Sequence, residues 1–98
     1  MADLITSRDN PWLKSLRRLA QDNQAYRKQG EVWFEGEHLV EACLRRSAAV
    51  RTLVCAESFW PHVPTLWQSL GQRQVVLPDV LFNAISGLES PAQVGVIL

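Results

Sequence analysis

Three short apolar runs limit what this chain can fold into: Leu53-Val54-Cys55, Val75-Val76-Leu77, and Val94 to Leu98. A strand with one wet face alternates apolar and polar residues, whereas an uninterrupted run suits a strand covered on both faces. Covering both faces requires helices on each side of a sheet. Between the runs the apolar residues switch to helical spacing, so strand and helix alternate along the chain. That order predicts a three-layer α/β/α sandwich around a small, largely parallel sheet.

The first helix is the most clearly marked. Asn10 suits the N-cap, where its side chain accepts from a free amide, and Pro11 suits the first helical position. Trp12, Leu13, Leu16, Leu19 and Ala20 then fill one side at about 100° per residue. Lys14, Arg17 and Arg18 fall opposite and form a compact basic stripe. Gln21 to Gln29 is polar, and Gly30 closes the segment. Val32-Trp33-Phe34 reads as a short strand that ends at Glu35-Gly36. A second helix is expected from Glu37 to Arg46, with Leu39, Val40, Cys43 and Leu44 inward and Glu37, Glu41 and Arg45 solvated. Ser58 to Leu70 reads as helical in part, with Pro61 and Pro64 in its first turns. Pro78-Asp79 opens a last helix, with Val80, Leu81, Ala84 and Ile85 inward and Gly87 after it. The expected division is a basic helical extension over residues 1–30 and an α/β domain over residues 31–98.

At 98 residues and 47% hydrophobic content the chain can bury one core. No apolar run approaches the roughly 18–20 residues that span a bilayer. Met1 to Asn10 is polar, so the cytoplasm is the expected location. Cys43 and Cys55 lie far apart, with no C-x-x-C pair and no clustered histidines. They read as buried small hydrophobes, not as a zinc site or a disulfide. The net charge is zero, which argues against a uniformly basic coat. Yet residues 1–30 carry six cations (Arg8, Lys14, Arg17, Arg18, Arg27, Lys28) against three anions. Any polyanion contact is expected there. Nucleophile, P-loop, dinucleotide and metal motifs are absent. His38 and His62 stand alone and read as structural, and the glutamates at 35, 37 and 41 do not read as an acid/base pair. Trp12 and Trp67 sit on apolar stripes, while Trp33 and Trp60 are candidates for partial exposure. An exposed indole can stack on an unpaired base.

Three segments carry a resemblance. Ile5-Thr6-Ser7-x-x-Asn10-Pro11-x-x-Lys14-x-Leu16 resembles the opening of SpoU-family RNA methyltransferases. So does Arg27-x-x-Gly30-x-x-x-Phe34-Glu35-Gly36-x-x-Leu39-Val40-Glu41-Ala42. Ile85-Ser86-Gly87-x-x-Ser90-Pro91-x-x-Val94 resembles the close of that family's substrate-binding domain. In this order they resemble the N-terminal domain of a SPOUT-class RNA 2'-O-ribose methyltransferase. The resemblance implies an L30e-like fold and structured RNA, tRNA or rRNA, as partner. It implies methyl transfer from S-adenosylmethionine to a ribose 2'-hydroxyl by a knotted C-terminal domain that usually dimerises. That domain would follow Leu98, where the chain stops inside a strand pattern. This chain alone is then expected to be monomeric, without a catalytic residue, metal or cofactor. Carried over by motif, Ser7, Asn10, Lys14 and Arg27 fall to RNA binding, and Glu35 and Gly36 to structure. Arg8, Arg17, Arg18 and Lys28 join the RNA set on charge. A free-standing L30e-like RNA-binding protein and a protein-interaction domain without RNA contact are the alternative readings.

Overall fold

In the computed structural model, which describes residues 2–22, 30–68, 70–86 and 92–98, five strands make one sheet. They are β1 (Asp3–Leu4), β2 (Trp33–Glu35), β3 (Thr52–Ala56), β4 (Arg73–Leu77) and β5 (Val94–Ile97), in the order β1-β4-β3-β5-β2. The apolar runs take the centre. Every residue of β3 and β5 is buried, as are Val75 to Leu77 of β4.

Among the described residues, four helices cover the sheet: α1 (Pro11–Gln21), α2 (Glu37–Arg45), α3 (Thr65–Gln68) and α4 (Asp79–Ile85). A 3-10 turn at Trp60–His62 precedes α3, so the stretch from Ser58 to Leu70 is helical only in pieces. On one face, Leu13, Leu16 and Leu19 of α1 and Phe82 and Ile85 of α4 pack with Val54, Val75 and Ile97. On the other, Val40 and Cys43 of α2 and Trp67 of α3 pack with Leu53, Cys55, Val94 and Val96. The pleat explains the split, because successive strand residues point to opposite faces. The three expected layers are present.

Direction within the sheet is more mixed. β1 and β3 both pair parallel with β4, whereas β5 is antiparallel to β3 and to β2. The two reversals cancel, so β1, β2, β3 and β4 share one direction and β5 alone opposes them. The sheet is largely parallel by strand direction, yet half of its pairings are antiparallel. The cause is that the reversed strand lies inside the sheet, a fact that a local apolar pattern does not encode.

Residues 3–21 are not set apart from this core. β1 forms the sheet edge, with Asp3 opposite Val75 and Leu4 opposite Val76, and Ile5 N donates to Val76 O at 3.1 Å. Ile5 and the α1 leucines belong to the same cluster as β3 and β4. A two-residue strand in a polar decapeptide leaves no periodic signal, which is why an extension was expected there.

Two inward sets are corrected. In α4, Val80 is 68% exposed and Ala84 is exposed, while Phe82 is fully buried beside Leu81 and Ile85. A short helix buries one narrow stripe, and the larger Phe82 takes it. In α2, Leu39 is 43% exposed. This helix lies over β5 and the edge strand β2, with no strand beyond to cover its outer flank.

Gly36 starts α2 as its N-cap at φ 116° and ψ 151°, a region that only glycine enters cheaply. Its N–H donates to Val94 O at 2.9 Å, and its carbonyl accepts from Val40 N at 3.1 Å. The strand-to-helix turn therefore depends on backbone freedom. Gly95 has a different reason: a Cβ there would stand 2.2 Å from the Trp33 ring. The indole lies against the bare backbone of β5 and meets Phe82 at 6.2 Å between centroids.

Candidate nucleic-acid interface

The candidate face is built on α1, and its start is fixed locally. Asn10 N donates to Ser7 O at 3.1 Å, and Asp9 N donates to Ser7 Oγ at 3.2 Å, closing a turn before the helix. Asn10 Oδ1 accepts from Trp12 N at 2.8 Å and from Leu13 N at 3.3 Å, satisfying two amides that the first helical turn leaves open. Lys14 N then donates to Asn10 O at 3.0 Å as the ladder begins. Ser7 and Asn10, read as RNA ligands from the motif, thus have their side-chain acceptors occupied by the helix start.

Burial of Leu13, Leu16 and Leu19 turns the opposite side of α1 outward. Lys14 and Arg18 are exposed there and, with Pro11 and Ser15, line a groove of about 270 Å³. Arg8 is exposed just before the helix. Arg17 differs from its neighbours: it is half-buried, and its Nε is shielded without a hydrogen-bond partner. At about 100° per residue Arg17 stands on the flank of the buried stripe, so its stem packs while Lys14 and Arg18 point away. Among the described residues, neither Lys14 nor Arg18 forms an ion pair, whereas Arg51 pairs with Glu31 at 3.3 Å and Arg73 with Asp3 at 2.7 Å. Among the described residues, cations outside these two ion pairs lie on and before α1 (Arg8, Lys14, Arg17, Arg18) and at the end of α2 (Arg45, Arg46), although the chain is neutral overall. Arg27 and Lys28 lie outside the described residues.

Glu35 is structural in this geometry. Its Oε2 accepts from Ser86 Oγ at 2.5 Å and from Ala92 N at 3.2 Å. Two segments far apart in sequence, Phe34-Glu35-Gly36 and Ile85-Ser86, therefore meet at the end of β2. Gln21 Nε2 donates to Ala84 O at 2.9 Å and ties the end of α1 to the end of α4. The sequence alone does not reveal these contacts, nor that Arg73 lies over the Trp12 ring, with Cζ 5.0 Å from its centroid.

Among the described residues, the other chemistry-bearing groups stand apart from one another. Burial pushes the Cys55 thiol up to about 12. Burial also raises Cys43, against an opposing pull from the Arg46 charge. Both cysteines are free thiols. His38 and His62 are exposed and separate. No group of three or more metal-ligating side chains occurs among the described residues, and none of their helices is long and apolar enough to cross a membrane.

Against known families, residues 10–95 match the model of the MRM3-like substrate binding domain. The chain belongs to this family. The match begins at the N-cap of α1 and ends in β5, so the family unit contains the basic helix. The domain is similar in fold to an rRNA methyltransferase from Sinorhizobium meliloti, with TM-score 0.75 and 23% identity, covering 98% of this chain and 36% of that one. It is similar to an RNA 2'-O ribose methyltransferase, with TM-score 0.76 and 19% identity over 96% of this chain and 36% of that one. A SpoU methyltransferase, AviRb from Streptomyces viridochromogenes, has TM-score 0.68 and 15% identity, with 90% and 34% covered. At such identities the likeness shows the fold alone, and the domain spans about a third of the length of these chains. No curated protein matches the sequence.

Proposed function

We propose that this domain holds structured RNA, tRNA or rRNA, for an S-adenosylmethionine-dependent 2'-O-ribose methyltransferase whose chemistry resides in a further domain. The observation that carries the reading is the outer face of α1. Lys14 and Arg18 flank a groove there with no ion-pair partner among the described residues, on a helix whose leucines are buried in the core. Phosphate contact is what such charges do best, and it positions RNA without specifying sequence. Family membership supports a substrate-holding role. The solved relatives support a methyltransferase as parent, and two of the structures are AdoMet-bound. In this reading the fold is L30e-like, the parent works in the cytoplasm, and dimerisation belongs to the catalytic domain.

The test is salt-dependent binding of a structured RNA to the chain and to its Lys14→Glu/Arg18→Glu variant. Arg17 is left intact because its stem is packed. Loss of two phosphate contacts should reduce the steepness of log K against log salt by about 1.4 to 1.8. Circular dichroism should remain unchanged. Equal binding and equal slope in the two proteins would remove α1 as the RNA face.

A further inference from the structure

Resting on the RNA reading above, we propose that Arg73, laid over Trp12 and fixed by Asp3, is a stacking platform for an unpaired RNA base beside the α1 face. Arg73 opens β4, next to the edge strand β1. Its guanidinium carbon sits 5.0 Å from the centre of the Trp12 ring, and its Nε donates to Asp3 Oδ2 at 2.7 Å. Register explains the cluster. Asp3 pairs with Val75, which faces the α1 layer, and Arg73 precedes Val75 by two residues and so shares that face. Trp12 is half-buried against the same cluster, in the first turn of α1.

The arrangement is poorly suited to be one more phosphate ligand, because Asp3 already compensates the charge. What remains is a planar, weakly hydrated group, and 42% of the Arg73 side chain is accessible. Arginine planes and aromatic rings are the surfaces on which splayed-out RNA bases stack. The two neighbours fix the side chain before any ligand arrives, so little rotamer freedom is left to lose on binding. Trp12 and Lys14 leave the same helical turn on different flanks. A strand crossing the start of α1 meets phosphate-binding charge on one flank and the stacking surface on the other. Stability alone does not account for the cluster, since an exposed ion pair and an exposed cation–π contact each contribute about 1 kcal/mol or less.

The test titrates the 15N-labelled 98-residue chain with a single-stranded adenosine octanucleotide and, separately, with tripolyphosphate. The oligonucleotide should shift the amides of Lys14 and Arg18 and also the Trp12 indole N–H and the Arg73 Nε–H. Tripolyphosphate should shift only the first pair. Arg73→Lys keeps the charge and removes the plane. It should weaken oligonucleotide binding about 5- to 10-fold, the low end for one stacked base, with tripolyphosphate binding unchanged. Movement of Lys14 and Arg18 with silence at Trp12 and Arg73 overturns the platform and leaves the RNA face standing. Equal oligonucleotide affinity in Arg73→Lys does the same. Silence at all four positions overturns the RNA reading and the platform together. The wild-type titration decides the matter even should the variant fail to fold.

Discussion

Gly95→Ala is the substitution for which the structure gives the sharpest magnitude. Elsewhere in a strand the change should help, because glycine interiors are weaker than alanine by roughly 0.5–1 kcal/mol. Here the new Cβ would meet the Trp33 ring at 2.2, 2.4 and 2.8 Å, inside any real contact distance. The backbone of β5 cannot yield, since β3 and β2 hydrogen-bond it on both sides. Trp33 must move, and β2 is an edge strand where it can. Overpacking of this kind costs about 1–3 kcal/mol. Loss of the Phe82 ring contact adds about 0.5–1.5 kcal/mol. We expect Gly95→Ala to destabilise by about 2–3 kcal/mol, close to the cost of losing the indole altogether. The measurement is a double-mutant cycle with Trp33→Ala in urea, followed by far-UV circular dichroism so that removing the tryptophan does not alter the signal. With the indole gone the new methyl has room, so the double variant should be more stable than the sum of the singles predicts by about 2 kcal/mol. Additivity within about 0.5 kcal/mol would show that the clash is not what glycine avoids.

Three further outcomes follow from single contacts. Asn10→Ala removes the acceptor for two amides and should cost about 1 kcal/mol, lowering Tm by about 4–8 °C, while Asn10→Asp should retain most of the stability. Glu35→Ala removes the acceptor used by the Ser86 hydroxyl and the Ala92 amide and should cost about 1–2 kcal/mol in chemical denaturation; Glu35→Gln keeps a neutral acceptor and should cost about half as much. The Asp79 carboxyl is held below its ordinary 3.8 by the Ser58 hydroxyl and then by the Ser58 amide, which donates at 3.0 Å. A depressed carboxylate stabilises the fold above its unfolded pKa and loses that contribution as pH falls through the folded value. Asp79→Asn should therefore flatten the acid limb of the stability–pH curve below about pH 4 and leave its shape near neutrality unaltered.

Local chemistry made the helix start legible. Asn10 and Pro11 act within a few residues of themselves, so capping rules placed α1 correctly. The buried strands were legible for a similar reason, since the unbroken apolar runs within β3, β4 and β5 declare burial on both faces. What failed was set by partners distant in sequence. Leu39 fits a buried stripe until one knows that β2 is the sheet edge. Val80 and Phe82 compete for one narrow stripe, and only packing against β3 and β4 chooses between them. The basic stripe was half legible: spacing put Lys14 and Arg18 outside, but Arg17 stands on the flank where α1 meets its neighbours. The Arg73–Trp12 contact had no local signal, because register between β1 and β4 creates it.

The placement of charge on a neutral domain has a definite consequence for the proposed function. On α1, Lys14 and Arg18, with partial help from Arg17, offer two or three phosphate contacts, so this face by itself should bind RNA weakly and with a shallow salt dependence. Weak binding is not a defect in a tethered domain. A short flexible link gives a second binding site an effective concentration in the millimolar range. A millimolar contact then roughly doubles the apparent affinity, and one ten times tighter raises it about tenfold. Additional charge would strengthen binding to every RNA alike, since phosphate contacts do not read sequence. Keeping the charge low leaves selection to groups that sense unpaired bases or shape. The compensation of Arg73 by Asp3 fits that logic, because it withdraws charge from the place where a planar surface is presented.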